Sequence, residues 1–214
     1  MNKYLKESIL WILILLPFVY LWVIWKNLPP QIATHFDFGG NPNGWTDKNN
    51  LICLLGALGI GTYNIMLFIP AFDPKKKIEQ MGEKYYSLRL LMTFFMTAVS
   101  VYILYNGTGK RINPGLIIGF LGLFYAVLGN YFQTVKPNYF IGIRTPWTLE
   151  NEQTWKSTHR LGGRLWMGGG LLIVILSVIT DNNSLLWIVF GIITGIIVIV
   201  PVVYSYLEFR KLHS

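Results

Sequence analysis

The chain has 214 residues, of which 53% are hydrophobic and 13% charged, with a mean hydropathy of +0.45 and a formal net charge of +8. Soluble domains carry roughly twice that share of charge, so a globular core in water explains this composition poorly and a membrane protein explains it well. The Lys and Arg residues lie in short segments between apolar runs, which makes them a topology signal and argues against direct nucleic-acid binding.

Six apolar runs stand out: Ile9–Trp25, Leu51–Phe72, Leu90–Tyr105, Gly115–Phe132, Leu165–Thr180 and Leu185–Leu207. Each approaches the ~20 residues a helix needs to cross a ~30 Å hydrocarbon core, the third and fifth by borrowing flanking residues. Unsatisfied backbone groups are costly in lipid, so the runs are expected to be helices. No Asp, Glu, Lys, Arg or His falls inside a run except at its ends, which fits spanning and counts against an ion-coupled transporter. The first run is too long for a signal-peptide core and lacks a small-residue cleavage site. The single cysteine, Cys53, permits no intramolecular disulfide.

The expected fold is therefore an all-α polytopic membrane protein, a six-helix bundle. Fourteen Lys and Arg residues lie before the first span, between the second and third, between the fourth and fifth, and after the sixth, against 4 in the alternate segments. That ratio places both termini inside and the 26–50 segment outside. Trp11, Trp22, Trp25, Tyr105, Trp187 and Tyr206 lie near span ends, as interfacial belts require. Ala57 and Gly61, Gly115 and Gly119, and Gly191 and Gly195 are small pairs at the spacing that lets helices approach closely. Gly168-Gly169-Gly170 reads as tight packing or as a broken helix around a ligand. Pro17 and Pro201 are expected to kink the first and last spans.

In the first outward segment, Gln31–Phe38 reads as an extended ribbon, with Ile32, Thr34, Phe36 and Phe38 on one side and Ala33, His35 and Asp37 on the other. Gly39-Gly40 and Asn41-Pro42-Asn43-Gly44 read as turns, after which Trp45 is free to reach the headgroup layer. His35 and Asp37 form a candidate polar pair for an outward ligand; a histidine beside a carboxylate titrates near neutrality. A metal site usually needs three or four ligands, and two good ones are present, so no metal or other cofactor is expected. The alternative is a ribbon that only caps the bundle.

Between the second and third spans, Ile78, Met81, Tyr85 and Leu88 recur at helical spacing behind Lys75-Lys76-Lys77. A basic amphipathic helix on the lipid surface is expected there. The longest polar segment lies between the fourth and fifth spans. Lys136-Pro137-Asn138 reads as a turn, Pro146 pushes Thr145 out of helical geometry, and Thr148 is an N-cap candidate for a helix running into the fifth span. That cytoplasmic helix is amphipathic: Glu152, Trp155 and His159 share a face, Arg160 and Arg164 form a basic row, and Glu152 pairs with Lys156. Arg144 beside Trp147 suits an anion or a partner's carboxylate. Glu152 and His159 come with no HExxH, CxxC, nucleophile elbow or Walker sequence, so catalysis is not expected.

Gly129-Asn130, Lys136-Pro137-Asn138, Gly142-Ile143-Arg144-Thr145-Pro146-Trp147-Thr148-Leu149, Trp155 and His159-Arg160-Leu161-Gly162 resemble the SdpI family of bacterial membrane immunity proteins. Pro30–Trp45, with His35-Phe36 and Pro42-Asn43-Gly44-Trp45, resembles the uncharacterised domain that often precedes the SdpI domain. The resemblance implies an N-terminal domain over residues 1–72 and an SdpI-like domain over 73–214, in the bacterial inner membrane. It also implies protection against a secreted peptide toxin of the sporulation-delaying type, relayed to a cytoplasmic ArsR-like repressor. Toxin contact is then expected around His35, Asp37 and Trp45. Partner contact or coupling falls to Asn138, Arg144, Thr145, Pro146, Trp147, Thr148, Glu152, Trp155, His159 and Arg160. Two other classes stay open: a solute, lipid or peptide transporter using Thr62, Asn64, Thr97, Ser100 and Asn130, and a membrane enzyme using Glu152 and His159.

Overall fold

A computed structural model describes residues 2–37, 41–110 and 113–213. The turn expected at Gly39-Gly40, the place expected of Phe38 on one side of the ribbon with Ile32, and the loop charge of Arg111 lie outside those residues. Among the described residues, six helices are long and apolar enough to cross a membrane, and the one sheet is a two-stranded ribbon. Helix α1 covers Lys3–Ile24, and strands β1 (Gln31–Phe36) and β2 (Pro42–Asp47) follow. The second span runs over Lys48–Phe72 as α2 (Leu51–Gly56), a π-helical turn Ala57–Gly61 and α3 (Thr62–Phe72). Then come α4 (Glu83–Gly107), α5 (Pro114–Phe132), the short α6 (Pro146–Glu150), α7 (Glu152–Ile179) and α8 (Asn183–His213). Pro17 and Pro201 sit buried inside α1 and α8, and both helices continue through them.

The chain divides into two compact units, Met1–Phe68 with Tyr85–Asn113, and Ile69–Lys84 with Pro114–Ser214. In the first, Leu21, Ile24, Leu28, Ile32, Leu51, Leu55 and Leu104 form the main apolar core. Ile32 fixes the ribbon to the helices: it is fully buried, and a Cβ on Gly107 would lie 3.0 Å from its Cγ2. Strict alternation along β1 fails after Ala33, because the register shifts between Ala33 and His35 and again between His35 and Phe36. Ahead of the shifts, Ile32 and Ala33 are both buried although they are neighbours in regular register. Asn41–Gly44 is not a turn. Its last three residues open β2, and the reversal is closed by the Asp37 amide donating to the Asn41 carbonyl at 2.9 Å. Gly44 serves the pairing: a Cβ there would meet the Cβ of His35 at 2.8 Å.

The helices reach further than the apolar runs, which changes the reading of charge within them. Glu7 lies in α1 and Arg89 in α4, and they form a bidentate pair at 2.8 and 3.0 Å, with the Tyr63 hydroxyl donating to the same carboxylate at 2.8 Å. Arg89 also stands over the Tyr63 ring at 5.3 Å. The expected basic amphipathic helix is broken as well. Asp73 is buried and accepts from the Lys75 and Ile78 amides, Lys76 adopts φ +48 and Gly82 φ +50, leaving only a 3-10 turn at Glu79–Met81 before α4 starts. Ile78, Met81, Tyr85 and Leu88 are all buried, so their spacing marked apolar contacts without marking one helix.

In the second unit α5 and α7 touch through their backbones. A Cβ on Gly129 would lie 2.7 Å from the Gly163 carbonyl oxygen and 2.4 Å from the Met167 nitrogen; one on Gly170 would lie 2.4 Å from the Gly122 carbonyl oxygen. Gly119 meets Ser177 in the same seam, whereas Gly191 and Gly195 have nothing within 4 Å. The glycine triplet packs: Gly170 faces α5 and Gly169 faces Ile193 and Ile197 of α8. Since the α5–α7 seam meets backbone, which cannot rotate away, Gly129→Val or Gly163→Val should cost at least the roughly 1–3 kcal/mol of an overpacked core. Thermal unfolding of the purified protein in detergent checks this against Gly191→Val, which should be near neutral; equal midpoints for all three would refute the seam.

Candidate functional site

The segment between α5 and α7 is held by its own polar side chains. Asn138 is buried and uses its whole capacity. Its Oδ1 accepts from the Phe140 and Ile141 amides at 2.8 and 2.7 Å, and its Nδ2 donates to the Lys136 and Ile141 carbonyls at 2.8 and 3.0 Å. The turn expected at Lys136-Pro137-Asn138 is thus a side-chain-centred loop.

His159 secures the next stretch. Its Nε2 accepts from the Ile143 amide at 2.9 Å, and its Nδ1 faces the Trp155 carbonyl at 2.9 Å. An amide only donates and a carbonyl only accepts, so these partners require the neutral ring with its proton on Nδ1. The ring stacks on Trp155 at 4.0 Å, and the Trp155 indole donates to the Val135 carbonyl at 2.9 Å. Gly142, at φ +107, lets the loop reach the ring, since a Cβ there would sit 2.3 Å from Nε2. Ile143 in turn occupies the space left by Gly162, where a Cβ would be 2.4 Å from its Cδ1.

Thr145, and not Thr148, is the N-cap. Its Oγ1 accepts from the Thr148 amide at 3.2 Å, and the Thr148 Oγ1 accepts from the Thr145 amide at 2.9 Å, a reciprocal box around α6 with Pro146 at its first position. The Thr145 hydroxyl lies 3.0 Å from that of Ser205, tying α6 to α8. Asn151 then caps α7, its side chain accepting from the Thr154 amide at 2.9 Å. The chain therefore makes two helices where one was expected, because the extended Asn151 (φ −127, ψ 120) separates them.

Among the described residues, Arg144 and Trp147 do not stack on each other. The Arg144 guanidinium donates to the Tyr139 carbonyl, and Trp147 packs on Tyr206 at 5.0 Å. Glu152 and Lys156 form the expected i,i+4 pair at 2.9 Å, both exposed. Arg144, Pro146, Glu152 and Arg160 are exposed and Trp147 is half-buried, whereas Asn138, Thr145, Thr148, Trp155 and His159 are buried. On the ribbon, His35 pairs with Asn43, and the Asp37 carboxylate accepts from the Asn41 amide at 2.7 Å and its side-chain nitrogen at 3.3 Å. Trp45 is 60% exposed there. Sequence reasoning missed Ser205, Val135 and Tyr206 as partners. Two of these act through backbone or ring contacts, and Ser205 is one hydroxyl in an apolar helix.

An SdpI/YfhL protein family model matches residues 134–205, and a domain of unknown function (DUF1648) matches residues 12–60. Each match falls within one of the two compact units. The immunity protein SdpI of Bacillus subtilis (strain 168) is 26% identical over 214 residues, covering 98% of this chain and 99% of that protein. No solved structure matches. With its six apolar helices the chain is a multi-pass bacterial membrane protein carrying an SdpI-family domain behind DUF1648.

Because Asn138 closes four hydrogen bonds by itself, Asn138→Ala should leave buried amides and carbonyls unpaired. The expected loss is about 1–3 kcal/mol for each group that water cannot reach. Limited proteolysis should then cut between residues 136 and 145, and a cleavage pattern identical to the parent's would show that the side chain does not hold the loop.

Proposed function

We propose that this SdpI-domain membrane protein is a non-enzymatic immunity protein, which protects its host from a secreted peptide toxin of the sporulation-delaying type. It relays the toxin's presence to a cytoplasmic ArsR-like repressor. The likeness to an immunity protein over almost the whole of both chains is the observation that carries this reading. Loop charge supports an orientation with both termini inside. One crossing then precedes the ribbon and four precede the α5–α7 segment, so the two lie on opposite sides by parity.

On this reading the toxin meets the ribbon around Trp45, with His35 and Asp37 shaping the turn beside it. The cytoplasmic partner meets the exposed Arg144, Glu152 and Arg160, while Asn138, Thr145, Pro146, Thr148, Trp155 and His159 hold those residues in place and couple them to α7 and α8. Trp147, packed on Tyr206, is the link to α8 nearest the exposed arginine.

Deleting the gene and challenging cells with purified sporulation-delaying peptide should raise sensitivity, and restoring it should reverse the effect; unchanged survival would remove the proposal. Truncating a central aromatic typically costs about 2 kcal/mol, so Trp45→Ala should weaken peptide binding roughly 30-fold. Arg144→Ala should abolish recruitment of the repressor to the membrane while the protein still inserts and still protects. If recruitment persists, the cytoplasmic assignment is wrong.

A further inference from the structure

The second unit contains a cleft of about 610 Å³ bordered by the 73–82 loop, the 133–139 segment and the residues around the start of α7. We infer that this cleft binds the phosphodiester headgroup of an anionic phospholipid. Lys75, Lys77 and Lys136 line it, together with the Glu152–Lys156 pair and Glu150. Glu152 and Lys156 neutralise each other at 2.9 Å, which leaves three lysines facing one carboxylate and an excess of positive charge. Lysine ammonium groups on flexible stems suit a phosphate as point charges.

The basic loop is not a random surface strand. Buried Asp73 holds two of its amides, Lys76 adopts φ +48, and fully buried Ile78 pins its far end. Lys75 is placed over the Tyr139 ring at 5.4 Å. The loop therefore presents its lysines from a fixed backbone.

Position and rim select a lipid over a soluble anion. The segments that border the cleft leave α3 at Phe72 and α5 at Phe132 and enter α7 at Glu152, so it lies at the ends of spanning helices, where headgroups are. Phe72 is 71% exposed, and Tyr139 and Leu149, which line the cleft, are 39% and 37% exposed. Cations beside exposed apolar and aromatic side chains at a span's end match the headgroup–acyl boundary. A soluble anion or an acidic peptide has no use for that apolar rim.

Native mass spectrometry of the full chain in detergent tests this with phosphatidylglycerol, phosphatidylethanolamine, inorganic phosphate and a polyglutamate peptide. Phosphatidylglycerol should be retained in preference to phosphatidylethanolamine. The K75Q/K77Q/K136Q variant should lose affinity by about fivefold for each lysine removed, on the order of 100-fold in total, whereas K75R/K77R/K136R should keep it. Unfolding temperatures of both variants in detergent establish that they are folded, and a K84Q variant should bind as the parent does. Equal retention by the Gln variant and the parent would overturn the proposal, as would equal retention of the two lipids. Displacement of phosphatidylglycerol by inorganic phosphate would overturn the lipid source, and displacement by polyglutamate would turn the cleft into a peptide site.

Discussion

The second unit depends on the backbone contact between α5 and α7. Lipid tails are as apolar as leucine, so helices in a membrane gain little from hiding apolar surface and associate through close packing. Gly122, Gly129, Gly163 and Gly170 supply that packing: a Cβ on any of them would lie within 3 Å of the facing helix. Each glycine weakens its own helix by up to about 1 kcal/mol relative to alanine in water, a cost the apolar environment reduces and the interface offsets. The consequence reaches beyond the seam. Trp155 and His159 are on the same helix as Gly163 and Gly170, so fixing α7 against α5 also fixes where the indole and imidazole meet the chain that leaves α5.

That chain has almost no regular structure between Phe132 and Pro146, yet it is tightly specified. Backbone groups that would otherwise be stranded are taken by Asn138, His159, Thr148 and Trp155. A single side chain does more than one task in each case, which makes the segment cooperative: the Ile143 amide reaches His159 only because Gly142 has no Cβ, and Ile143 itself fills Gly162. The residues of the motif therefore separate by role. The buried ones hold the backbone of the segment, and Arg144, Pro146, Glu152 and Arg160 are exposed.

How much of this was legible depends on the kind of interaction. Six spans could be read because apolar length is a local property of sequence, and the Glu152–Lys156 pair because i,i+4 neighbours on a helix are fixed by its pitch. The importance of Gly142–Leu149 was visible as an unusual cluster, but its contacts were not. Arg144 and Trp147 are close in sequence, whereas Tyr206, some sixty positions on, takes the indole. Small-residue spacing found the seam at Gly119, which meets Ser177, but Gly191 and Gly195 repeat the pattern with nothing within 4 Å, since spacing says which backbone can be approached and not which one is. The ribbon failed differently. Asn-Pro-Asn-Gly is strong turn chemistry, but Gly44 was required opposite His35, and that cross-strand demand prevailed over the local preference.

The Glu7–Arg89 pair bears on function through what it does not leave free. By their apolar runs alone the helices hold no internal charge, and the full helices do hold this one. In a transporter an ionisable group at depth has to exchange partners as cargo moves. Glu7 accepts two bonds from Arg89 and one from Tyr63, so both carboxylate oxygens are already engaged, and Arg89 is only 9% exposed. Removing one partner of such a buried pair strands the other, typically at about 3–5 kcal/mol, although the partly exposed Glu7 would lower that figure. The pair is therefore better suited to fastening α1, α3 and α4 together than to carrying an ion. A first unit fastened in this way gives the ribbon, joined through Ile32 to the core of the same helices, a firm base.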